Sequence, residues 1–302
     1  MASAATQPVS LAEAYRHCQA VTKRRAGNFY YAFLPLPAHQ RKAIYAVYAF
    51  SRASDDYSDE ALPIEQKVAL LNEHRTRLHA CYAGEPRGPV FIALADVIKR
   101  YAIPRSYFDE LINGVVKDLT VVRYKTFQEL RAYCYQVASV VGLICIKIFG
   151  YQDPKAEQYA IELGIGMQLV NIMRDIKEDA ERGRIYLPQD ELAKFGYTEA
   201  DLQQRSVNDA FASMMRLQAE RAREHLDAGA RLLPLITSKR ARVCPAILRG
   251  LYATVLKRIE SRGYDVFTKR ARLSSREKVW IATKIWSATT LQNLLPAKTS
   301  PS

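Results

Sequence analysis

Gln168-Leu169-Val170-Asn171-Ile172-Met173-Arg174-Asp175-Ile176-Lys177-Glu178-Asp179 is the stretch whose reading decides the fold. Residues three and four apart share one face of a helix, so Gln168, Asn171, Asp175 and Asp179 form a single polar stripe. Around it run Leu163, Ile165, Met167, Leu169, Val170 and Ile172. Among 14 aspartates only one other pair has the same Asp-x-x-x-Asp spacing: Asp55 with Asp59, which follows the apolar run Ala43 to Ala53. A single acidic pair is ordinarily a solvated helix face. Two pairs, each ending a long apolar helix, describe an apolar cavity with an acidic mouth. Carboxylates on facing helices suit a hard, oxygen-seeking cation such as Mg²⁺ that in turn binds phosphate. Arg52 and Arg174 lie beside the two pairs, where a guanidinium either neutralises its neighbour or clamps phosphate oxygens.

Working outward, helical periodicity recurs in Leu36 to Ala53, Ile64 to Ala83, Phe91 to Tyr101, Tyr107 to Val116 and Phe127 to Phe149. It continues in Ala156 to Glu181, Asp209 to Leu233, Val243 to Arg262 and Ser275 to Leu295, the last opened by a Ser274/Glu277 capping box. Pro and Gly fall between these runs. Thr120 to Tyr124 is the best strand candidate, and no strand–helix alternation exists. The prediction is an all-α protein, one domain over residues 1–302 with its core between about 15 and 290.

The 302 residues are 49% hydrophobic and 25% charged, which excludes wholesale disorder. No uncharged apolar run is long enough for a membrane span, and no secretory signal opens the chain. Five scattered cysteines form neither a disulfide framework nor a metal knuckle, which predicts a cytoplasmic location. P-loop, dinucleotide and nucleophile-elbow motifs are missing, and the five histidines form no ligand pattern. The net charge is +13, and residues from Lys239 onward carry +11 of it. That charge, with Trp280 and Trp286 on one predicted helix, also fits a non-catalytic basic protein that binds membrane or nucleic acid. Such a binder has no use for two apolar-flanked aspartate pairs, and no nucleic-acid motif is present.

The stretches Phe29-Tyr30-Tyr31-Ala32-Phe33, Ala43 to Arg52, Asp55-Asp56-Tyr57-Ser58-Asp59 and Tyr133 to Gly142 together resemble the squalene/phytoene synthase family. So do Gln168 to Asp179, running into Arg182-Gly183-Arg184-Ile185-Tyr186-Leu187-Pro188, and Gly263-Tyr264-Asp265-Val266-Phe267. The resemblance implies an isoprenoid-synthase helical bundle around one central cavity, and head-to-head (1′–1) condensation of two allylic prenyl diphosphates. It places Asp55, Asp59, Asn171, Asp175 and Asp179 as ligands of Mg²⁺ or Mn²⁺. It places Arg25, Asn28, Phe29, Tyr48, Arg52, Gln168, Arg174, Tyr252 and Arg270 against substrate, and Tyr133 near the reacting carbons. Asn28 departs from the family's usual serine.

The resemblance is nearest to bacterial enzymes that make presqualene diphosphate from farnesyl diphosphate on the way to hopanoids, a product for which NADPH is not expected to be required. The alternative is a phytoene or dehydrosqualene synthase of carotenoid biosynthesis, with geranylgeranyl diphosphate as the other substrate. Peripheral attachment to the inner face of the membrane and contact with downstream terpenoid-pathway enzymes are compatible with either. Phe33, Tyr48, Val137, Val141 and Leu169 are expected to wall the cavity, and Arg182 to Tyr186 to close over it.

Overall fold

The computed structural model describes residues 9–294. Leu11–Arg25 (α1) opens on a Ser10/Glu13 capping box and ends in three basic residues, complementing the helix dipole at both ends. Asn28–Phe33 (α2) follows Gly27, whose positive φ of 52° turns the chain sharply. Neither helix is read from periodicity: α2 has fewer than two turns, and only the capping box announces α1.

Ala38–Asp59 (α3) starts after Pro37 and carries the first acidic pair in its last turns, six residues beyond the predicted end at Ala53. Ile64–Tyr82 (α4), Pro89–Tyr101 (α5) and Arg105–Thr120 (α6) follow. The predicted strand is not formed. Thr120 closes α6, and Arg123 makes only an isolated bridge with Ile185.

The predicted helix Phe127 to Phe149 divides into Phe127–Cys134 (α7), a wide π-turn over Tyr135–Ser139, and Val140–Phe149 (α8). Its apolar length would serve to cross a membrane, with mean hydropathy 1.7, but half of it is buried inside the protein. Lys155–Glu181 (α9) carries the second acidic pair. Gly164 lets α9 approach the π-turn: a Cβ there would lie 2.6 Å from the Ser139 Cα. Ser139 Oγ donates to the Ile161 carbonyl at the same crossing.

Gln189–Phe195 (α10), Glu199–Gln203 (α11), Asp209–Ala230 (α12), Val243–Glu260 (α13) and Ser275–Leu294 (α14) complete the bundle. Leu295, at the predicted end of the last helix, lies outside the described residues. The Ser274/Glu277 box is formed, with Ser274 N donating to Glu277 at 2.7 Å and Glu277 N to Ser274 Oγ at 3.3 Å. No strand occurs among the described residues, in agreement with the all-α prediction. α9 runs at the centre, against α12 on one side and the π-turn and α8 on the other. Its buried residues join those of the other long helices in one continuous apolar cluster.

Candidate active site

Inside the bundle lies a cavity enclosing about 1180 Å³ of atom-free space, its mouth included. The register of the lining residues gives its direction. α3 contributes Ile44, Val47, Tyr48, Ser51 and Asp55 in turn, and α9 contributes Ala160, Leu163, Met167, Gln168 and Asn171. On each helix eleven residues separate floor from mouth, a depth of about 16 Å at 1.5 Å per residue. Phe149, Leu232 and Cys244 belong to the apolar end; Asp55, Asn171 and Tyr252 belong to the polar one. Phe33, Tyr48, Val137 and Val141 wall the cavity as the sequence suggests. Leu169 does not: it points from the opposite face of α9 into the core, 1% exposed. Phe29 also lines the cavity, its ring 6.2 Å from that of Phe33 and 6.5 Å from that of Tyr48.

At the α3 side of the mouth one guanidinium serves three carboxylates. Arg52 Nε donates to Asp56 Oδ1 at 2.8 Å, and its terminal nitrogens lie 3.8 Å from Asp55 and 3.6 Å from Asp59. Arg25 also reaches Asp56, at 3.4 Å. Asp56 is therefore the arginine anchor, and Asp55 and Asp59 keep only the longer ion pairs with Arg52. Burial pushes the Asp55 carboxyl up to about 7; Arg52 opposes this, while Asp59, Asp56 and Asp118 add to it. Burial likewise pushes the Tyr48 phenol up to about 12. The side chain of Asn28 lies outside what the structure describes.

At the α9 side, Arg174 grips Asp175 with two parallel bonds of 2.7 and 2.6 Å, and Arg270 adds a third at 2.7 Å. Burial acts to raise the Asp175 pKa, but these bonds and charges outweigh it and hold the carboxyl below the usual range. Asp179 has no such partner. Burial, then the negative charges of Asp175 and Asp118, push it up to about 7. Arg270 also approaches Glu178 at 3.3 Å. Asn171 Nδ2 donates to Gln168 Oε1 at 3.2 Å, while Asn171 Oδ1 and Glu178 Oε2 are buried without a hydrogen-bond partner. The Tyr252 phenol, buried on α13, is raised by that burial, with the nearby Arg174 opposing.

This donor set fits a hard divalent cation. It is all oxygen, two of its carboxylates are pushed up to about 7, chiefly by burial, and two buried oxygens await a partner. Among the described residues no three acidic, His or Cys side chains converge closely enough to hold an ion alone. In Mg²⁺ sites substrate phosphates commonly supply further ligands. Asp55, Asp59, Asn171, Asp175 and Asp179 are the residues that would hold it, and at Asp175 a cation would compete with Arg174 and Arg270.

Tyr133 lies apart from the cavity lining. It is 4% exposed and forms a triangle of rings with Tyr124 and Tyr186, its centroid 5.4 and 5.3 Å from theirs, while those two lie 5.8 Å from each other. Its phenol, within hydrogen-bonding reach of Tyr186, is raised well above the ordinary value by burial and by Asp118. The Tyr186 hydroxyl donates to Asp118, and Arg184 lies 3.4 Å from the same carboxylate. Asp118, Tyr186 and Arg184 thus join the site although spacing gave no sign of Asp118, which has no acidic partner three or four residues away. The Arg182 to Tyr186 segment, expected to close over the site, is tied down. Arg123 donates to the Gly183 carbonyl at 2.7 Å and pairs with Glu199 at 2.7 Å, and Ile185 N donates to the Val122 carbonyl at 3.0 Å.

Comparison with known proteins bears on this arrangement directly. Residues 22–277 match the model of the squalene/phytoene synthase family. The chain is 38% identical over 283 residues to the 15-cis-phytoene synthase of Synechococcus elongatus, covering 89% of this chain and 91% of the relative. Among solved structures it is similar to the squalene synthase HpnC of Alicyclobacillus acidocaldarius, with TM-score 0.81 and 32% identity over 85% of this chain and 97% of that one. It is also similar to a dehydrosqualene synthase in complex with ligand, with TM-score 0.85 and 28% identity over 93% and 98% of the two chains.

Proposed function

The chain belongs to the squalene/phytoene synthase family and is a prenyltransferase, and from that premise we propose that it joins two geranylgeranyl diphosphates head to head to make phytoene. The observation that carries this is the 38% identity to a named phytoene synthase over nearly the whole of both chains. The sequence alone favoured presqualene diphosphate from farnesyl diphosphate. That stays the second reading, supported by the 32% identity to HpnC.

In the proposed reaction the allylic C1–O bond breaks and the diphosphate leaves with the electron pair. Mg²⁺, which Asp55, Asp59, Asn171, Asp175 and Asp179 would hold, would supply charge neutralisation for that leaving group. Arg52, Arg174 and Arg270 each have guanidinium hydrogens within reach of the mouth. They are placed to trade their aspartate partners for phosphate oxygens. The prenyl tails lie along the apolar walls toward Phe149 and Leu232, where no polar group offers water a foothold. Phe29, Phe33 and Tyr48 bring aromatic rings to the cavity wall, suited to a carbocation. The cation alkylates the double bond of the second substrate, with loss of a proton, giving a cyclopropylcarbinyl diphosphate. In the phytoene reading, loss of its diphosphate, rearrangement and loss of a further proton follow. Tyr133, through Tyr186, is connected to the Asp118 carboxylate, a base within the same network.

The continuous core supports one domain, and the cytoplasm is the proposed location. Purified protein incubated with Mg²⁺ and either farnesyl or geranylgeranyl diphosphate, with and without NADPH, tests the reading by mass spectrometry. A C40 hydrocarbon from geranylgeranyl diphosphate supports it. A C30 cyclopropyl diphosphate from farnesyl diphosphate replaces it with the second reading. No product from either substrate, with the helical fold intact, removes both.

A further inference from the structure

α14 carries the chain's two tryptophans, and both face outward. Trp280 is 64% exposed, Leu291 62%, Val279 48% and Trp286 44%. At about 100° per residue, Val279 and Trp286 fall within about 20° of each other, and Trp280 and Leu291 lie roughly a third of a turn away. The exposed Thr283, Ser287 and Thr290 fill the interval. The inner face, with Ile281, Ala282 and Ile285, packs on α13, where Gly250 makes room for the Ile285 side chain. The outer apolar face is therefore not a misplaced core face, because the helix already has one.

The unpaired charge on the outer half of α14 is positive. Glu277 is the last acidic residue of the chain, and it is engaged by Arg258 and the Ser274 cap. Arg276 and Lys284 lie on the outer half, with the Lys284 ammonium 5.0 Å from the Trp280 ring centroid, whereas Lys278 is half-buried on the inner half. Exposed indoles with aliphatic neighbours and long cationic side chains beside them are the composition of the headgroup boundary of a bilayer. A protein partner of ordinary mixed charge gives no reason for a helix face whose one acidic residue is already paired. A surface of anionic lipid does.

The position of the helix gives the face a use. α14 packs on α13 and α2, the elements that supply Phe29, Phe33, Cys244, Pro245, Leu248 and Tyr252 to the cavity wall. We propose that the outer face of α14 docks this protein on anionic bilayer surfaces, with Trp280, Trp286, Val279 and Leu291 at the boundary between headgroups and acyl chains. Docking holds the apolar cavity beside the membrane. Only the benefit, passage of an oily product into lipid, rests on the reaction proposed above.

Because these are the chain's only tryptophans, the native protein reports on itself. Vesicles of phosphatidylcholine with roughly one-third phosphatidylglycerol are expected to shift tryptophan emission to the blue. Brominated lipid is expected to quench it, and pure phosphatidylcholine to act weakly. In flotation, Trp280→Ser with Trp286→Ser should lower partition roughly tenfold or more. Lys284→Glu should lower it at least about fivefold on anionic vesicles, with the difference fading at high salt. Unchanged emission and no flotation with either vesicle overturn the proposal. So does flotation of the double variant equal to wild type. An emission shift that follows protein concentration without lipid, with dimers in sedimentation, assigns the face to a second copy instead. Turnover on detergent-dispersed substrate, measured alongside, tests the reaction separately: a docking failure leaves it unchanged.

Discussion

Arg270 holds Asp175 across 95 positions of the chain, donating from Nε to Oδ1 at 2.7 Å, while the adjacent Arg174 grips the same carboxylate with two bonds. Asp175 thus occupies, between two guanidinium groups, the kind of place a diphosphate oxygen would take. Metal and arginine compete for this carboxylate, and phosphate and carboxylate compete for the arginines. Arg270→Gln should therefore separate two affinities. Substrate KM should rise about tenfold or more, since a hydrogen bond to a charged group contributes roughly 1.5–3 kcal/mol. Binding of Mn²⁺ alone, followed by calorimetry, should become tighter, because a competing cation is gone. A fall in both affinities together would show that Arg270 only braces α9.

Neighbouring aspartates on α3 should behave unlike each other. Asp56 anchors Arg52 and Arg25, whereas Asp55 faces the cavity with its carboxyl pushed up to about 7. Asp55→Asn is expected to lower kcat/KM by roughly 10²–10³, the scale for losing a charged element that stabilises a leaving group. Asp56→Asn should cost about tenfold or less, mostly in KM, because it frees the arginines without emptying the metal set. In the wild type, protons compete with Mg²⁺ for Asp55 and Asp179. Apparent metal affinity should then weaken as pH falls through about 7. Steady-state kinetics of both variants, and metal titrations at pH 6 and 8, check these outcomes.

What was legible in the sequence was what local spacing encodes. Asp55 with Asp59, and Gln168 with Asn171, Asp175 and Asp179, declare their faces at intervals of three and four, and the structure seats them at the ends of α3 and α9. Pairings made only by tertiary packing were not legible. Nothing near Asp118 announces Tyr186, 68 positions away, and nothing near Asp175 announces Arg270. The π-turn at Tyr135–Ser139 escaped for a similar reason: the close approach of Gly164, on another helix, accompanies it. Leu169 was misassigned to the cavity because α9 is apolar on two sides. Periodicity cannot say which side meets the cavity and which meets α12.

His74 on α4 gives the fold an acid limit. It is 1% exposed, its ring 4.3 Å from that of Phe50 and 5.2 Å from that of Phe91, and neither ring nitrogen has a hydrogen-bond partner. Burial, reinforced by the positive charge of Arg77, lowers its pKa from 6.5 to about 4. The unfolded chain therefore takes up this proton first. Stability from this group is fully present above about 6.5 and is lost as pH falls toward 4. At 1.36 kcal/mol per pKa unit the loss is on the order of 3 kcal/mol. His74→Phe should flatten that part of the curve. Urea unfolding of both proteins between pH 7 and 4 checks it, and equal slopes would remove His74 as the cause.

Asp118 links the two halves of the site, and the last prediction turns on separating its charge from its hydrogen bond. Its negative field helps raise both Asp55 and Asp179, and its oxygens take the Tyr186 hydroxyl and face Arg184. Asp118→Asn keeps an acceptor for Tyr186 but removes the charge. Asp55 and Asp179 should then ionise more readily, so the acid limb of kcat/KM should move to lower pH. Arg184 would lose its carboxylate, and stability should fall by about 1–3 kcal/mol. Tyr186→Phe removes the hydrogen bond and leaves the charge, so its acid limb should stay in place even where its rate drops. If both variants shift the limb equally, the tyrosine network sets those carboxylates rather than the Asp118 charge. If neither shifts it, the field of Asp118 does not reach across the mouth, and its role is confined to holding Tyr186 and Arg184.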